Sequence, residues 1–246
     1  PPQLPAVLKT RRMGYDGQGT FIPKTLEEYQ AIVHQIGAAD LLYEAFVPFE
    51  RELAIMAARS SDGNIVVYPI VETQQVEQVC RWVIAPAAIS ASMTVEIQRI
   101  AHTLLEQLDV IGIFGIELFM TADDRVLVNE IAPRTHNSGH YTLDASITSQ
   151  FEQQLRAVSG LPLGDPALNC DGAIMVNLLG FETAHHDYAE KRAQLAALPQ
   201  SNVHWYGKTE SRPGRKLGHV TVRLMAAEWR DQALNTIQQI EQIWYP

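Results

Sequence analysis

The chain has 246 residues, 46% of them hydrophobic and 19% charged, which is enough for a substantial core in one large or two modest domains. A net charge of −9 argues against a broad nucleic-acid surface, because such a surface needs clustered Lys and Arg. Cys80 and Cys170 form neither a metal spacing nor a redox pair, the pattern of a reducing cytoplasm, and the longest apolar run, Val110 to Met120, is too short to span a bilayer.

The chain opens at Pro1 directly into an apolar strand, Leu4 to Thr10, so the natural protein is expected to continue upstream. Lys9 stands near the end of that strand. A segment with Gly14, Gly17 and Gly19 follows, preceded by two arginines. Glycine-rich loops can wrap phosphates with backbone N–H groups, although the spacing here is not a P-loop and also fits an ordinary surface turn. A strand-terminal lysine beside it supplies a point charge for a phosphate. Thr25 to Ile36 reads as a helix with Thr25 as N-cap and Glu28 closing a capping box. Leu26, Tyr29, Ile32, Val33 and Ile36 form its apolar stripe, with His34 outside it. Leu41 to Val47, Arg51 to Arg59 and Asn64 to Ile70 read as strands, the last two joined by a turn at Asp62-Gly63. Glu44, Glu50 and Glu52 are candidates for a nucleotide ribose, though single acids of this kind are more often surface groups. Gln78 to Ala85 reads as a further strand. Ser92 to Leu108 is an amphipathic helix with Val95, Ile97, Ile100, Ala101, Leu104, Leu105 and Leu108 apolar.

That helix feeds the most informative stretch, Gly115 to Thr142. Ile116 to Met120 and Val126 to Ile131 form an expected antiparallel hairpin around Asp123 and Asp124. Glu117 and Glu130 lie on its two strands. If both face one side they are close enough to repel, and a cation between them would relieve that. Oxygen ligands with an asparagine nearby suit Mg²⁺. Two acids on a hairpin are usually solvated, but the residues after Glu130 shift the balance. Arg134, His136, Asn137, Ser138 and His140 crowd into seven residues, a density that packing does not require.

Ser146 to Ser159 reads as a helix ended by Gly160, and the Pro- and Gly-rich Leu161 to Asp171 marks a domain boundary. Beyond it come a strand at Ala173 to Leu179, a helix at Tyr188 to Ala197, strands at Val203 to Tyr206 and Leu217 to Met225, and a closing helix at Ala227 to Trp244. Lys208, Arg212, Arg215 and Lys216 fall within nine positions between the last two strands. In an acidic chain this is a solvated turn or a site for a monophosphate, which arginine forks match.

These pieces together resemble the ATP-grasp enzymes, and within them the N5-carboxyaminoimidazole ribonucleotide synthetase family of purine biosynthesis. LKTRRMGYDGQG, the EAFV segment, GIELF with VNEIAPR, RTHNSGH and YGKTESRPGRKLGHV carry the resemblance over nearly the whole chain. It implies an α+β fold, a partial ATP-grasp domain over 1–160, mostly antiparallel sheet with helices, followed by a small β-rich C-terminal domain over 161–246. It implies ATP- and bicarbonate-dependent carboxylation of 5-aminoimidazole ribonucleotide through carboxyphosphate, with ATP and Mg²⁺, in a cytoplasmic and often dimeric enzyme that touches neither nucleic acid nor membrane. Lys9 would contact the nucleotide phosphates, Glu44, Ala45, Phe46 and Val47 the adenine, and Glu52 the ribose. Glu117 and Glu130 would hold the metal, and Arg134, His136 and Asn137 would orient bicarbonate and carboxyphosphate. Tyr15, Asp16 and Gln18 would touch substrate in a mobile loop, Gln18 standing where relatives often carry a basic residue. Lys208 and Arg215 would bind the ribonucleotide phosphate. Family members carry more than a hundred residues upstream by this analogy, so the polypeptide alone is expected not to turn over. The alternatives are another ATP-grasp ligase, such as a formate-dependent glycinamide ribonucleotide transformylase or a biotin-carboxylase-like enzyme, and a nucleotide-binding module without catalysis.

Overall fold

The computed structural model describes residues 2–14, 18–225 and 229–246. The chain divides into two compact units, Pro1–Phe49 with Val76–Val79, and Glu50–Gln75 with Cys80–Pro246.

In the first unit, β1 (Ala6–Thr10) pairs antiparallel with β2 (Thr20–Phe21) on one side and with β3 on the other; α1 (Leu26–Ile36) lies between β2 and β3 (Leu41–Ala45) in the chain. The helix starts where the sequence places it, because the Thr25 hydroxyl accepts from the Glu28 N–H. The reciprocal bond falls one residue earlier than a capping box: the Glu28 carboxylate accepts from the Lys24 N–H at 2.7 Å. None of the stripe is fully buried, and Leu26 is 42% exposed. Among the described residues of this small unit, Ala6 and Leu8 of β1 and Pro23 are buried.

The second unit is built on one long sheet. In chain order its elements are β4 (Phe49–Arg59), β5 (Ile65–Val67), β6 (Val71–Val76), β7 (Val79–Ala85), α2 (Ala91–Gln107), β8 (Gly112–Thr121), β9 (Val126–Ala132), α3 (Thr142–Ala145) and α4 (Gln150–Val158). They continue with β10 (Gly172–Leu179), α5 (Ala189–Ala196), β11 (Ser201–Trp205), β12 (Lys216–Leu224) and α6 (Trp229–Trp244). The strands lie in the order β11-β12-β10-β7-β6-β4-β8-β9, with β5 paired to β4.

Strand alternation gives this sheet two different faces. Leu53, Ile55 and Ala57 of β4 and Phe114, Ile116 and Leu118 of β8 meet Met93, Ile97, Ala101 and Leu105, which recur every fourth residue along α2. Ile174, Val176 and Leu178 of β10 and Val220 and Val222 of β12 meet Trp229, Ala233, Ile237, Ile240 and Trp244 along α6. Each such fully buried aliphatic side chain contributes about 1.5–3 kcal/mol. The opposite face carries Ala54, Val83, Ala85, Ala173 and Met175, and packs on Tyr141 and Ala145. Every residue of β10 is buried, as expected of a strand covered on both sides.

Several element boundaries differ from the sequence expectation. Val95 and Leu108 are 65% and 55% exposed, and Met93 takes the place expected of Val95 in the α2 stripe. The strand after the Asp62-Gly63 turn ends at Val67, with one further bond from the Tyr68 N–H to the Met56 carbonyl. β6, VETQQV, has no hydrophobic alternation to announce it and is held by pairing with β4. The helix expected from Ser146 starts at Gln150, with Ser149 as its cap. Ser146 instead bridges Leu168, and Ile147 and Thr148 donate to Ala167 and Asp165.

Candidate functional site

β8 and β9 pair antiparallel with Glu117 directly opposite Glu130, where the regular register from the turn would have placed Asn129. Since Ile116 and Leu118 face α2, Glu117 points to the other face of the sheet. The register shifts between Glu117 and Leu118, an irregularity of the kind that re-aims a side chain beside a site. His136 enters from the segment after β9. Ligand atoms of Glu117, Glu130 and His136 all lie within 4.8 Å of one another, and the His136 Nε2 is 3.5 Å from Glu117 Oε1. The Asn129 amide donates to the other Glu117 oxygen at 3.4 Å.

The electrostatics are those of a site short of positive charge. The Glu117 carboxyl is pushed up to about 7, first by burial, then by Glu130, then by Glu52. Lys216, a member of the basic cluster that the sequence leaves without a role, works in the opposite direction. Glu52 lies on β4 with its own pKa raised by burial, and accepts from the Gln75 N–H at 3.2 Å. A divalent cation would remove the repulsion. Two carboxylates with an imidazole in reach fit Mg²⁺ or Mn²⁺ chemically.

The segment after β9 divides in its roles. Arg134 is exposed, and its guanidinium donates to the Thr135 carbonyl. The His136 Nδ1 lies 2.9 Å from the Ser138 hydroxyl, leaving Nε2 toward Glu117. Asn137 is buried, with its amide in a reciprocal pair with Asn177 of β10 at 2.9 and 2.6 Å. Asn177 also donates to the Cys80 carbonyl of β7. Sequence reasoning missed Asn177, although an asparagine inside the apolar run AIMVNLL was a signal for a buried polar partner.

A histidine column lies on the same face. His140 and His219 have ring centroids 5.2 Å apart, and His219 stacks on His204 at 4.6 Å. The His204 Nε2 pairs with Asp144 at 2.8 Å, and the Tyr206 hydroxyl is 2.8 Å from His219 Nδ1. Burial, then neighbouring positive charge, lowers His140 to about 4 and His219 to about 2. The bond to Asp144 raises His204. In the same C-terminal stretch the Lys208 ammonium donates to the Lys216 carbonyl, and the Arg215 guanidinium donates to the Glu210 carbonyl at 2.8 Å.

In the first unit, Lys9 and Glu44 lie on paired strands, diagonal in register, with Nζ 3.0 Å from Oε2. Ala45 ends β3, and Phe46, just beyond it, is 39% exposed, with Val47 next in the chain. Gln18 is exposed beside β2, while Tyr15 and Asp16 lie outside the described residues.

Comparison with known proteins agrees with this fold. The ATP-grasp domain family matches residues 3–151, and the phosphoribosylaminoimidazole carboxylase C-terminal domain matches residues 173–232. The chain belongs to the ATP-grasp family. It is 57% identical over 244 residues to the N5-carboxyaminoimidazole ribonucleotide synthase of Synechococcus elongatus, spanning 98% of this chain and 62% of that protein. With the corresponding Synechocystis protein it is 48% identical, over 100% of this chain and 66% of that one. A crystal structure of carboxyaminoimidazole ribonucleotide synthase from Aspergillus clavatus complexed with ATP is similar over 98% of this chain and 63% of its own, with a TM-score of 0.87 at 30% identity. Another from that organism, in complex with ADP and 5-aminoimidazole ribonucleotide, has a TM-score of 0.86 at 30% identity, covering 98% of this chain and 62% of that one. The chain thus spans less than two thirds of the length of these relatives. No helix among the described residues is long and apolar enough to cross a membrane.

Proposed function

We propose that this chain is part of a carbon–nitrogen ligase that carboxylates 5-aminoimidazole ribonucleotide with bicarbonate at the expense of ATP. The observation that carries the reading is the paired Glu117 and Glu130 with His136 in reach, on a fold shared with synthases solved with ATP and with ADP and the ribonucleotide. Phosphoryl transfer asks mainly for positioning and for neutralisation of phosphate charge. Glu117 and Glu130 would hold Mg²⁺, which when bound neutralises phosphate oxygens of ATP. Lys9 contacts the nucleotide phosphates, Glu44 to Val47 the adenine edge, and Glu52 the ribose. Bicarbonate attacks the γ-phosphoryl group, ADP leaves, and carboxyphosphate forms. The ribonucleotide amine attacks the carboxyl carbon of that species as inorganic phosphate leaves, or attacks CO₂ after carboxyphosphate has split into CO₂ and phosphate; either way an N–C bond forms and the amine gives up a proton. Arg134 and His136 orient the anion, and Asn137 serves by fixing the segment through Asn177. Lys208 and Arg215 bind the ribonucleotide phosphate, and Tyr15, Asp16 and Gln18 contact substrate. The domain boundary falls within the stretch that joins the two family matches, the enzyme works in the cytoplasm, and it assembles as a homodimer.

The test is ADP release by a polypeptide that contains these 246 residues and spans the full length of the relatives. Release that requires both bicarbonate and 5-aminoimidazole ribonucleotide is the expected outcome. Release that ignores both, or responds to formate or biotin instead, would move the chain to another ATP-grasp chemistry. Mg·ATP binding without any release would mark a non-catalytic module.

A further inference from the structure

α4 carries glutamines at 150, 153 and 154, and each grips the backbone of a different segment. The Gln150 side chain is fully buried. Its Oε1 accepts from the His136 N–H at 2.9 Å, and its Nε2 donates to the His136 carbonyl at 2.8 Å and lies 2.9 Å from His140 Nδ1. One primary amide thus pairs with both backbone groups of a single residue, as a neighbouring strand would, and spends its remaining hydrogen on the His140 ring. Gln154, one helical turn on, uses its Oε1 to accept from the N–H of Ile113 at 2.7 Å, near the start of the strand that carries Glu117. The same helix therefore holds both parts whose spacing matters, the His136 segment and β8.

Two glycines make room for this arrangement. A Cβ on Gly115 would lie 2.5 Å from the His136 Cβ and 2.8 Å from its Cγ, so the imidazole rests against the bare backbone of β8, two residues from Glu117. A Cβ on Gly139 would lie 2.7 Å from Gln150 Oε1 and 2.8 Å from the Met56 Cγ, so a side chain there would push the clamp away. The Gln150 amide itself faces the backbone and His140, not the carboxylates.

We infer that Gln150 is a positioning residue of the carboxylate centre: it fixes His136 against Gly115 so that the imidazole is presented to Glu117. This rests on the reading of Glu117 and Glu130 as a cation site. Gln153 supplies an internal control. Its amide makes the same two-bond clamp on another backbone, accepting from the Gly164 N–H at 2.8 Å and donating to the Gly164 carbonyl at 2.9 Å. Gly164 packs against Thr148 and has no part in the carboxylate cluster.

The experiment compares Mn²⁺ affinity and Tm in the wild-type chain, Gln150→Met and Gln153→Met. Both substitutions are expected to lower Tm to a similar degree. Gln150→Met should weaken Mn²⁺ binding about tenfold, the scale of losing a partner that orients a metal-site group, while Gln153→Met should stay within about twofold of wild type. Mn²⁺ should also broaden the His136 imidazole resonances in wild type and Gln153→Met, and much less in Gln150→Met. If Gln150→Met does not fold, Gln150→Glu is read in the same way, being of the same size and keeping the acceptor for the His136 N–H. Equal Mn²⁺ affinity and equal broadening in the Gln150 and Gln153 variants would overturn the inference and leave the cation site standing. A wild-type chain that binds no Mn²⁺ would overturn the cation site, and the inference with it.

Discussion

Glu117 shows how one side chain's surroundings set its chemistry. Half-buried and opposite a second carboxylate, it has its pKa pushed up to about 7. A cation must displace its proton, so metal affinity rises with pH below about 7 and levels above it, by about tenfold per pH unit where one proton is exchanged. Mn²⁺ titrations between pH 5.5 and 8.5 check this; affinity that is flat across the range would mean Glu117 is already ionised. Asn177 belongs to the same scale. Substituting Asn177→Leu removes both bonds to the buried Asn137 amide and the donor to the Cys80 carbonyl, and is expected to cost about 1–3 kcal/mol in urea unfolding. The two glutamates were legible as residues of one hairpin, but their facing was not, since a register shift between Glu117 and Leu118 brings Glu130 and not Asn129 opposite Glu117. The Asn177 partnership was not, since it joins residues far apart in sequence through tertiary packing alone.

At the scale of elements, α4 turns on its cap. The Ser149 hydroxyl accepts from the Glu152 N–H, starting the helix at Gln150 and aiming that side chain at His136. Periodicity alone starts the helix at Ser146, because Ser146 to Thr148 continue the amphipathic pattern; their backbone bonds to the 165–168 stretch outweigh it. Ser149→Ala is expected to cost about 1 kcal/mol, measured by chemical denaturation. α2 was legible as a helix with Ile97, Ala101 and Leu105 inward, but not at the edge of that face, where Met93 is buried and Val95 and Leu108 are exposed. A broad apolar stripe lets several rotations compete, and the sheet selects the one with Met93, Ile97, Ala101 and Leu105 inward. Ile97→Ala should cost about 2–5 kcal/mol with the denaturant slope unchanged.

At the scale of the molecule, the second unit is one sheet with a dry face under α2 and α6 and an opposite face that bears both the apolar Tyr141 cluster and the polar Glu117, Asn177 and His219. The composition change at Leu161 to Asp171 was visible, but the pairing of β10 with β7 was not, because no local pattern encodes a contact made across the intervening chain. The polar groups on that opposite face make stability depend on pH in a defined direction. His140 and His219 have folded pKa values lowered to about 4 and about 2, below the 6.5 of a free histidine. Their contribution is present above pH 6.5 and is lost as pH falls through 6.5 toward those values, on the order of a few kcal/mol by pH 4. His204, raised by Asp144, contributes in the opposite sense: its part is present below pH 6.5 and is lost as pH rises through its folded value. Tm measured across pH 4–8 should therefore fall on the acid side, and a Tm that is constant from 6.5 to 4 would place these histidines outside the core.

The most direct single measurement is Mn²⁺ binding at pH 8 by wild type, Glu117→Gln and Glu130→Gln, with the exposed Glu50→Gln as control. The account predicts that each of the first two variants loses about tenfold or more in affinity while the control stays within about twofold. Unchanged affinity in Glu117→Gln and Glu130→Gln would contradict it, and the paired carboxylates would then be structural acids and not the metal centre of an ATP-dependent ligase.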